Sequence, residues 1–171
     1  SDGSAALLMM PEEQAKALGL TPRARVIDTC LVGVDPVLML TGPIDATERL
    51  LKRSGLKIGD IDTFEINEAF CSVPVATTRA LGIEREICNV NGSGCSLGHP
   101  IAATGARMVV SMVYELRRRG ARLGCVSMCA GGGMGMAMVV ERREPSSPGH
   151  AERPCSPTIR RMREAQVAAG L

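Results

Sequence analysis

Aromatic side chains are almost missing from this 171-residue chain, which has no Trp, one Tyr and two Phe. A nucleic-acid reader that stacks bases on aromatic platforms is thereby excluded. Clustered positive charge is scarce as well. The net charge is +2, and residues 1–140 carry 14 basic and 14 acidic side chains. Counterion release from DNA, RNA or an anionic membrane needs clustered cations. Only Arg117, Arg118 and Arg119 form a tight run, and at the end of a predicted helix they complement its dipole. No window approaches about 18 uninterrupted apolar residues, so no membrane span is expected. Ser1-Asp2-Gly3 lacks both the basic start and the apolar run of a signal peptide. The seven cysteines include no CxxC pair. Free thiols in a reducing compartment are the simplest account, and a soluble, cytoplasmic protein without a metal centre is expected.

What is present suits one domain. Apolar residues make up 45% of the chain, and with so few aromatics the core must be built from Ala, Val, Leu, Ile and ten Met. Residues 4–10 are small or apolar without a charge and read as a buried strand. Pro11 opens a short helix over 12–18. A β-rich run follows at 24–34, then an amphipathic helix over 44–54. A strand at 63–66 leads through Asn67-Glu68-Ala69-Phe70 into a helix ending near Leu81. Residues 86–90 look strand-like, and 101–119 carry a strong helical stripe of Met108, Val109, Met112, Val113 and Leu116. Residues 121–129 and 134–141 read as an antiparallel hairpin around Ala130-Gly131-Gly132-Gly133. Strands alternating with helices argue an α/β layered fold, and the hairpin makes its sheet mixed. Beyond Glu144 the prolines at 145, 148, 154 and 157 predict disorder over 145–158. Residues 159–169 could form a short helix.

Ten of the nineteen glycines fall between Gly92 and Gly135, and chemistry is sought there. Asn67, His99 and Cys129 each stand where a strand or loop meets the next element, a common place for function in α/β proteins. Each also has a structural explanation. Asn67 could cap the following helix, His99 could be a loop imidazole on a backbone carbonyl, and Cys129 could be an inert buried thiol. Context favours chemistry. His99 stands just before a long helix whose N-terminus disfavours imidazolium, leaving a neutral ring able to act as a base. Cys129 precedes three glycines whose N–H groups could hold an oxyanion.

Three segments together resemble the thiolases, in the C-terminal half of that family. They are Asn67-Glu68-Ala69-Phe70, Asn91-Gly92-Ser93-Gly94 with Leu97-Gly98-His99-Pro100 and Ala103-Thr104-Gly105-Ala106-Arg107, and Cys129-Ala130-Gly131-Gly132-Gly133-Met134-Gly135. Ser1-Asp2-Gly3-Ser4-Ala5-Ala6, Gly33-Val34-Asp35-Pro36, Met39 and Gly42-Pro43 are also thiolase-like, and the likeness is colinear from Ser1 to about Glu141.

The resemblance implies a thiolase-like layered α/β fold and an acyltransferase of lipid metabolism. It would make or break a carbon–carbon bond between acyl groups held as coenzyme A thioesters, with no covalently bound cofactor. His99 would deprotonate a nucleophilic cysteine and later help to hold a thioester oxygen. Asn67 would position a water at the same oxyanion site. Cys129 would move the α-proton, for which its pKa must come down from about 8.5. The N–H of Gly131 would serve a second oxyanion hole, while Ala69, Phe70 and Met39 would line the pantetheine and acyl channel. Ala102 departs from the family's more usual Gly.

By the same resemblance, residues 1–10 correspond to the last strand of the N-terminal half, 11–142 to the C-terminal domain and 143–171 to an extra tail. The family's nucleophile has no counterpart in these residues. The expectation is therefore that the chain is inactive alone and works as a homo-oligomer or with an N-terminal half. The competing reading is a non-catalytic binding or assembly module. A metal site from Cys95 and His99 with Cys125 and Cys129 fails on spacing. A nucleotide loop at Gly131 to Gly135 fails because no βαβ unit follows.

Overall fold

The computed structural model describes residues 1–143. The expected disorder over 145–158 and the helix over 159–169 lie outside the described residues.

A four-stranded mixed sheet carries the fold, in the order β1 (Ala24–Gly33), β4 (Met134–Arg142), β3 (Leu123–Ala130), β2 (Thr63–Ile66). Helix α1 (Glu12–Ala17) opens behind Pro11 with Glu12 and Glu13 in its first turn, the acidic end a helix dipole favours. Strand β1 (Ala24–Gly33) follows and has a register shift between Val26 and Asp28. Helix α2 (Gly42–Arg53) begins two residues earlier than its stripe predicts, because Pro43 is preset for a first helical turn. Its Ala46, Leu50 and Leu51 are buried. Strand β2 (Thr63–Ile66) pairs in parallel with β3 (Leu123–Ala130), and β3 forms the expected antiparallel hairpin with β4 (Met134–Arg142). Between them come α3 (Ser72–Leu81), the single turn α4 (Gly94–Leu97) and α5 (Ile101–Arg119). Ala102 lies within α5, so the family's Gly is not needed there.

Side-chain alternation along β3 divides the core into two layers. Leu123, Cys125 and Cys129 join Leu50 and Leu51 of α2 in one cluster, while Val126 joins Met108, Met112 and Leu116 of α5 in another. Helices α2 and α3 therefore contribute to one layer and α5 to the other. Leu50, Met108 and Leu116 are fully buried, each contributing about 1.5–3 kcal/mol of transfer free energy. Among the described residues no helix is long and apolar enough to cross a membrane.

Two expected strands differ. Residues 4–10 pair with no strand; Leu8 is 79% and Met9 63% exposed, because none of the four strands lies beside them to complete a ladder. Residues 86–90 reduce to a 3-10 turn at Arg85–Ile87 and one parallel bridge between Phe64 and Cys88. The positive φ of Asn89 (50°) bends the chain away from further pairing.

Candidate functional site

The carboxyl ends of the parallel pair β2 and β3 organise the site. Asn67, the first residue past β2, donates its backbone N–H to the Ser127 carbonyl at 2.9 Å and is fully buried. Cys129 lies two residues further along β3, and Gly131 is in the turn just beyond. Open α/β sheets commonly place function at such strand ends. The capping role for Asn67 falls away, because α3 starts only at Ser72.

The Asn67 side chain instead meets His99, with Nδ2 3.4 Å from Nε2 of the imidazole. On the other side of the ring, Nδ1 lies 2.7 Å from the Thr104 hydroxyl. Thr104 donates its proton to the Pro100 carbonyl at 3.1 Å, so it accepts from Nδ1–H. That network assigns the proton of the neutral ring to Nδ1 and turns the Nε2 lone pair toward the Asn67 amide. Oδ1 of Asn67 is buried without a partner. Gly94 approaches from above, where a Cβ would collide with the Glu68 carbonyl and sit 3.4 Å from that Oδ1. Only glycine lets α4 lie this close.

Cys129 is buried, and burial pushes its thiol up, opposite to the downward shift expected of a base. No hydrogen bond joins it to His99 among the described residues. The hairpin tip after Cys129 is fixed by the Gly133 carbonyl, which accepts from Val34 N–H at 2.7 Å. Gly133 has φ +82° and no room for a Cβ beside the Val34 carbonyl and Pro36. This bond ties the loop bearing Met39, itself at φ +36°, to the tip bearing Gly131. Ala69 packs against the main core, whereas Phe70 is 58% exposed at the mouth of the Asn67 segment. Leu97 and Ile101, flanking His99 in the chain, are also exposed apolar residues.

Further polar groups, to which the sequence assigned no role, hold this arrangement. Glu65 of β2 is buried against Arg107 of α5 at 2.5 Å, and Arg107 also reaches Ser93 at 3.3 Å. Burial raises the Glu65 carboxyl despite the opposing guanidinium. Asn89 accepts from the Ile66 N–H at 2.7 Å and donates to the Ile66 carbonyl and to Glu68, pinning the end of β2. Glu115 receives Arg118, Arg119 and Asn91, and chiefly through Arg118 its carboxyl is lowered to about 2. The signal for Thr104 and Glu115 was their position on the apolar stripe of α5, where a buried polar group requires a partner.

Two hollows of about 220 and 300 Å³ lie elsewhere, beside Arg23, Arg117 and Arg143 and between α2 and the end of α3. No group of three or more His, Cys, Asp or Glu able to hold a metal ion occurs among the described residues.

Residues 20–142 match the family model described as "Thiolase, C-terminal domain". An acetyl-CoA acetyltransferase of Shinella zoogloeoides is 48% identical over 141 residues, covering 82% of this chain and 36% of that protein. A 3-ketoacyl-CoA thiolase of Bacillus subtilis (strain 168) is 46% identical over 141 residues, with the same two coverages. The solved acetyl-CoA acetyltransferase of Bacillus anthracis superposes with a TM-score of 0.76 at 46% identity, covering 78% of this chain and 34% of that one. Human mitochondrial 3-ketoacyl-CoA thiolase gives 0.75 at 39% identity, with coverages of 77% and 33%. The chain thus spans 36% of the length of the curated relatives it is compared with here.

Proposed function

The chain belongs to the thiolase family, and from that premise we propose that it supplies the imidazole, amide and acid–base thiol of a thiolase-type acyltransferase site. The reaction is the condensation or thiolytic cleavage of 3-ketoacyl thioesters of coenzyme A. The observation that carries this reading is the Thr104–His99–Asn67 chain, which directs Nε2 of the imidazole at an amide.

In this reading His99 Nε2 takes the proton of a nucleophilic cysteine contributed from outside these residues. Once protonated, Nε2–H becomes a donor to a thioester oxygen. The Asn67 amide holds a water against the same oxygen, so two dipoles meet the charge that develops when the α-proton leaves. Donors of this kind lower a barrier by about 3–4 kcal/mol each. Cys129 carries the α-proton. As a protonated thiol it is set to give that proton to the carbanion released by cleavage; in the condensation direction it must first become a thiolate. The N–H of Gly131 serves the second oxyanion hole, around the acylated cysteine. Ala69, exposed Phe70 and Met39 line the path of pantetheine and acyl chain. Coenzyme A enters as substrate, and no bound cofactor has a step to perform.

The 171 residues taken alone then lack the acyl-accepting thiol and do not turn over. The test is complementation: the chain is mixed with a separately expressed thiolase half bearing the nucleophile, and CoA-dependent loss of acetoacetyl-CoA is followed. The mixture cleaves, while His99→Ala and Cys129→Ala each lower kcat by about 10²–10⁴-fold. A complex that forms and stays inert, or variants as active as the parent, overturn the catalytic reading and leave an assembly module. Turnover by the chain alone overturns the need for a second half.

A further inference from the structure

Two thiols with no part in the proposed reaction meet beside the site. Cys71, the residue before α3, and Cys95, in α4, are both exposed, and their Sγ atoms lie 3.2 Å apart. The two segments are held together by more than this contact. Glu68 accepts the backbone N–H of Cys95 on Oε2 at 3.0 Å and the Asn89 amide on Oε1 at 3.0 Å. The Cys95 thiol also lies 3.9 Å from the Glu68 carbonyl oxygen. The thiols are therefore presented by docked backbone. A disulfide needs its sulfurs at about 2.05 Å, a closure of roughly 1 Å.

We propose that Cys71 and Cys95 form a modification site, a thiol pair that hydrogen peroxide closes into an intramolecular disulfide. Cys71 Sγ attacks one peroxide oxygen; the O–O bond breaks, that oxygen stays on sulfur as a sulfenic acid, and the other leaves with the thiol proton as water. Cys95 Sγ then attacks Cys71 Sγ, the S–S bond forms, the S–O bond breaks, and hydroxide leaves with the Cys95 proton as water. Two thiols lose two electrons and two protons, and the peroxide becomes two waters. The hydrogen bond between the sulfurs holds the pair in reach for either order of attack, and the same disulfide and two waters result with the two thiols exchanged.

The remaining described cysteines are poor competitors. Cys30, Cys125 and Cys129 are buried, and burial pushes Cys88 up to about 12. The cross-link would join a residue four positions after Asn67 to one four positions before His99, clamping both walls of the site. It stands on geometry and thiol chemistry alone and is tested without any assay of turnover.

The reduced 171-residue chain is treated with hydrogen peroxide, quenched, alkylated and digested with trypsin. The expected product is peptide 58–79 joined to peptide 86–107 with the loss of two hydrogens, reversed by dithiothreitol. Cys71 and Cys95 lose alkylation about tenfold faster than Cys30 or Cys125. Cys88 shares the second peptide, so Cys88→Ala keeps the product and Cys95→Ala abolishes it. Both cysteines of the pair are exposed, so their alanine variants keep the parent circular dichroism. A bond from Cys71 to Cys88 or Cys155, a disulfide between two chains, or Cys71 driven to sulfinic acid beside a free Cys95 overturns the proposal.

Discussion

The His99 ring is held on both sides. With the Thr104 hydroxyl donating to Pro100, it takes the Nδ1 proton and leaves Nε2 as the acceptor facing Asn67. Thr104→Val keeps the shape and removes that acceptor. In nitrogen-detected NMR of the neutral imidazole, the parent chain shows the Nδ1–H form, and Thr104→Val shifts the population toward Nε2–H, the commoner tautomer in water. An unchanged tautomer in the valine variant means that some other group orients the ring. Asn67 illustrates what residue type alone leaves open. An Asn before a helix caps it in most settings, and only the later start of α3 frees its amide for the imidazole. Cys129 was legible as a thiol at a strand end, but the direction of its shift depends on burial in a core gathered from many elements, which a linear sequence does not reveal.

Helix α5 works as one positioning unit, because both of its ends are anchored by polar residues on its buried face. Thr104 holds His99 at the first turns, and Glu115 gathers Arg118, Arg119 and the Asn91 amide at the last. The Glu115 carboxyl falls from 4.5 to about 2, chiefly through Arg118, despite desolvation in the other direction. A carboxylate depressed in the folded state stabilises fully above its unfolded pKa and loses that contribution as pH falls through the folded one. The slope of unfolding free energy against pH, measured by urea titration between about 4.5 and 2, is therefore shallower in Glu115→Gln than in the parent. Equal slopes sink the assignment. The stripe Met108, Met112 and Leu116 made this helix readable, as alternation and the glycine turn made the hairpin readable. Residues 86–90 misled because β-favouring residues do not report how many partners are available; the edge of β2 supplies a single bridge. Contacts between Cys71 and Cys95, or Glu65 and Arg107, lie 24 and 42 residues apart in sequence and carry no local signal.

At the scale of the molecule, the sheet closes two apolar layers and leaves other large apolar side chains bare. Leu7, Leu8 and Met9 run without a ladder partner, and Leu31 on the edge strand β1 is 72% exposed. Val37 and Leu38 on the loop that holds Met39, and Met134 and Met136 on β4, are exposed as well. Soluble monomers rarely keep so many large apolar groups in water, and such surface usually marks an interface. The start of the chain lies close to the His99 loop, since a Cβ on Gly3 would fall 2.7 Å from the Pro100 ring. A partner seated on residues 1–10 therefore also presses on the segment beside His99. If the proposed thiolase half is that partner, adding it in equal amount lowers the binding of 8-anilinonaphthalene-1-sulfonate to the chain and protects the amides of residues 7–9 and 31 from hydrogen exchange. Leu8→Ser with Met9→Ser, two exposed sites whose change leaves the fold intact, then weakens the complex about tenfold or more, since each buried apolar side chain is worth about 1.5–3 kcal/mol. Dye binding and exchange unaffected by the added half, with an undiminished complex in the double variant, would place the interface on another surface.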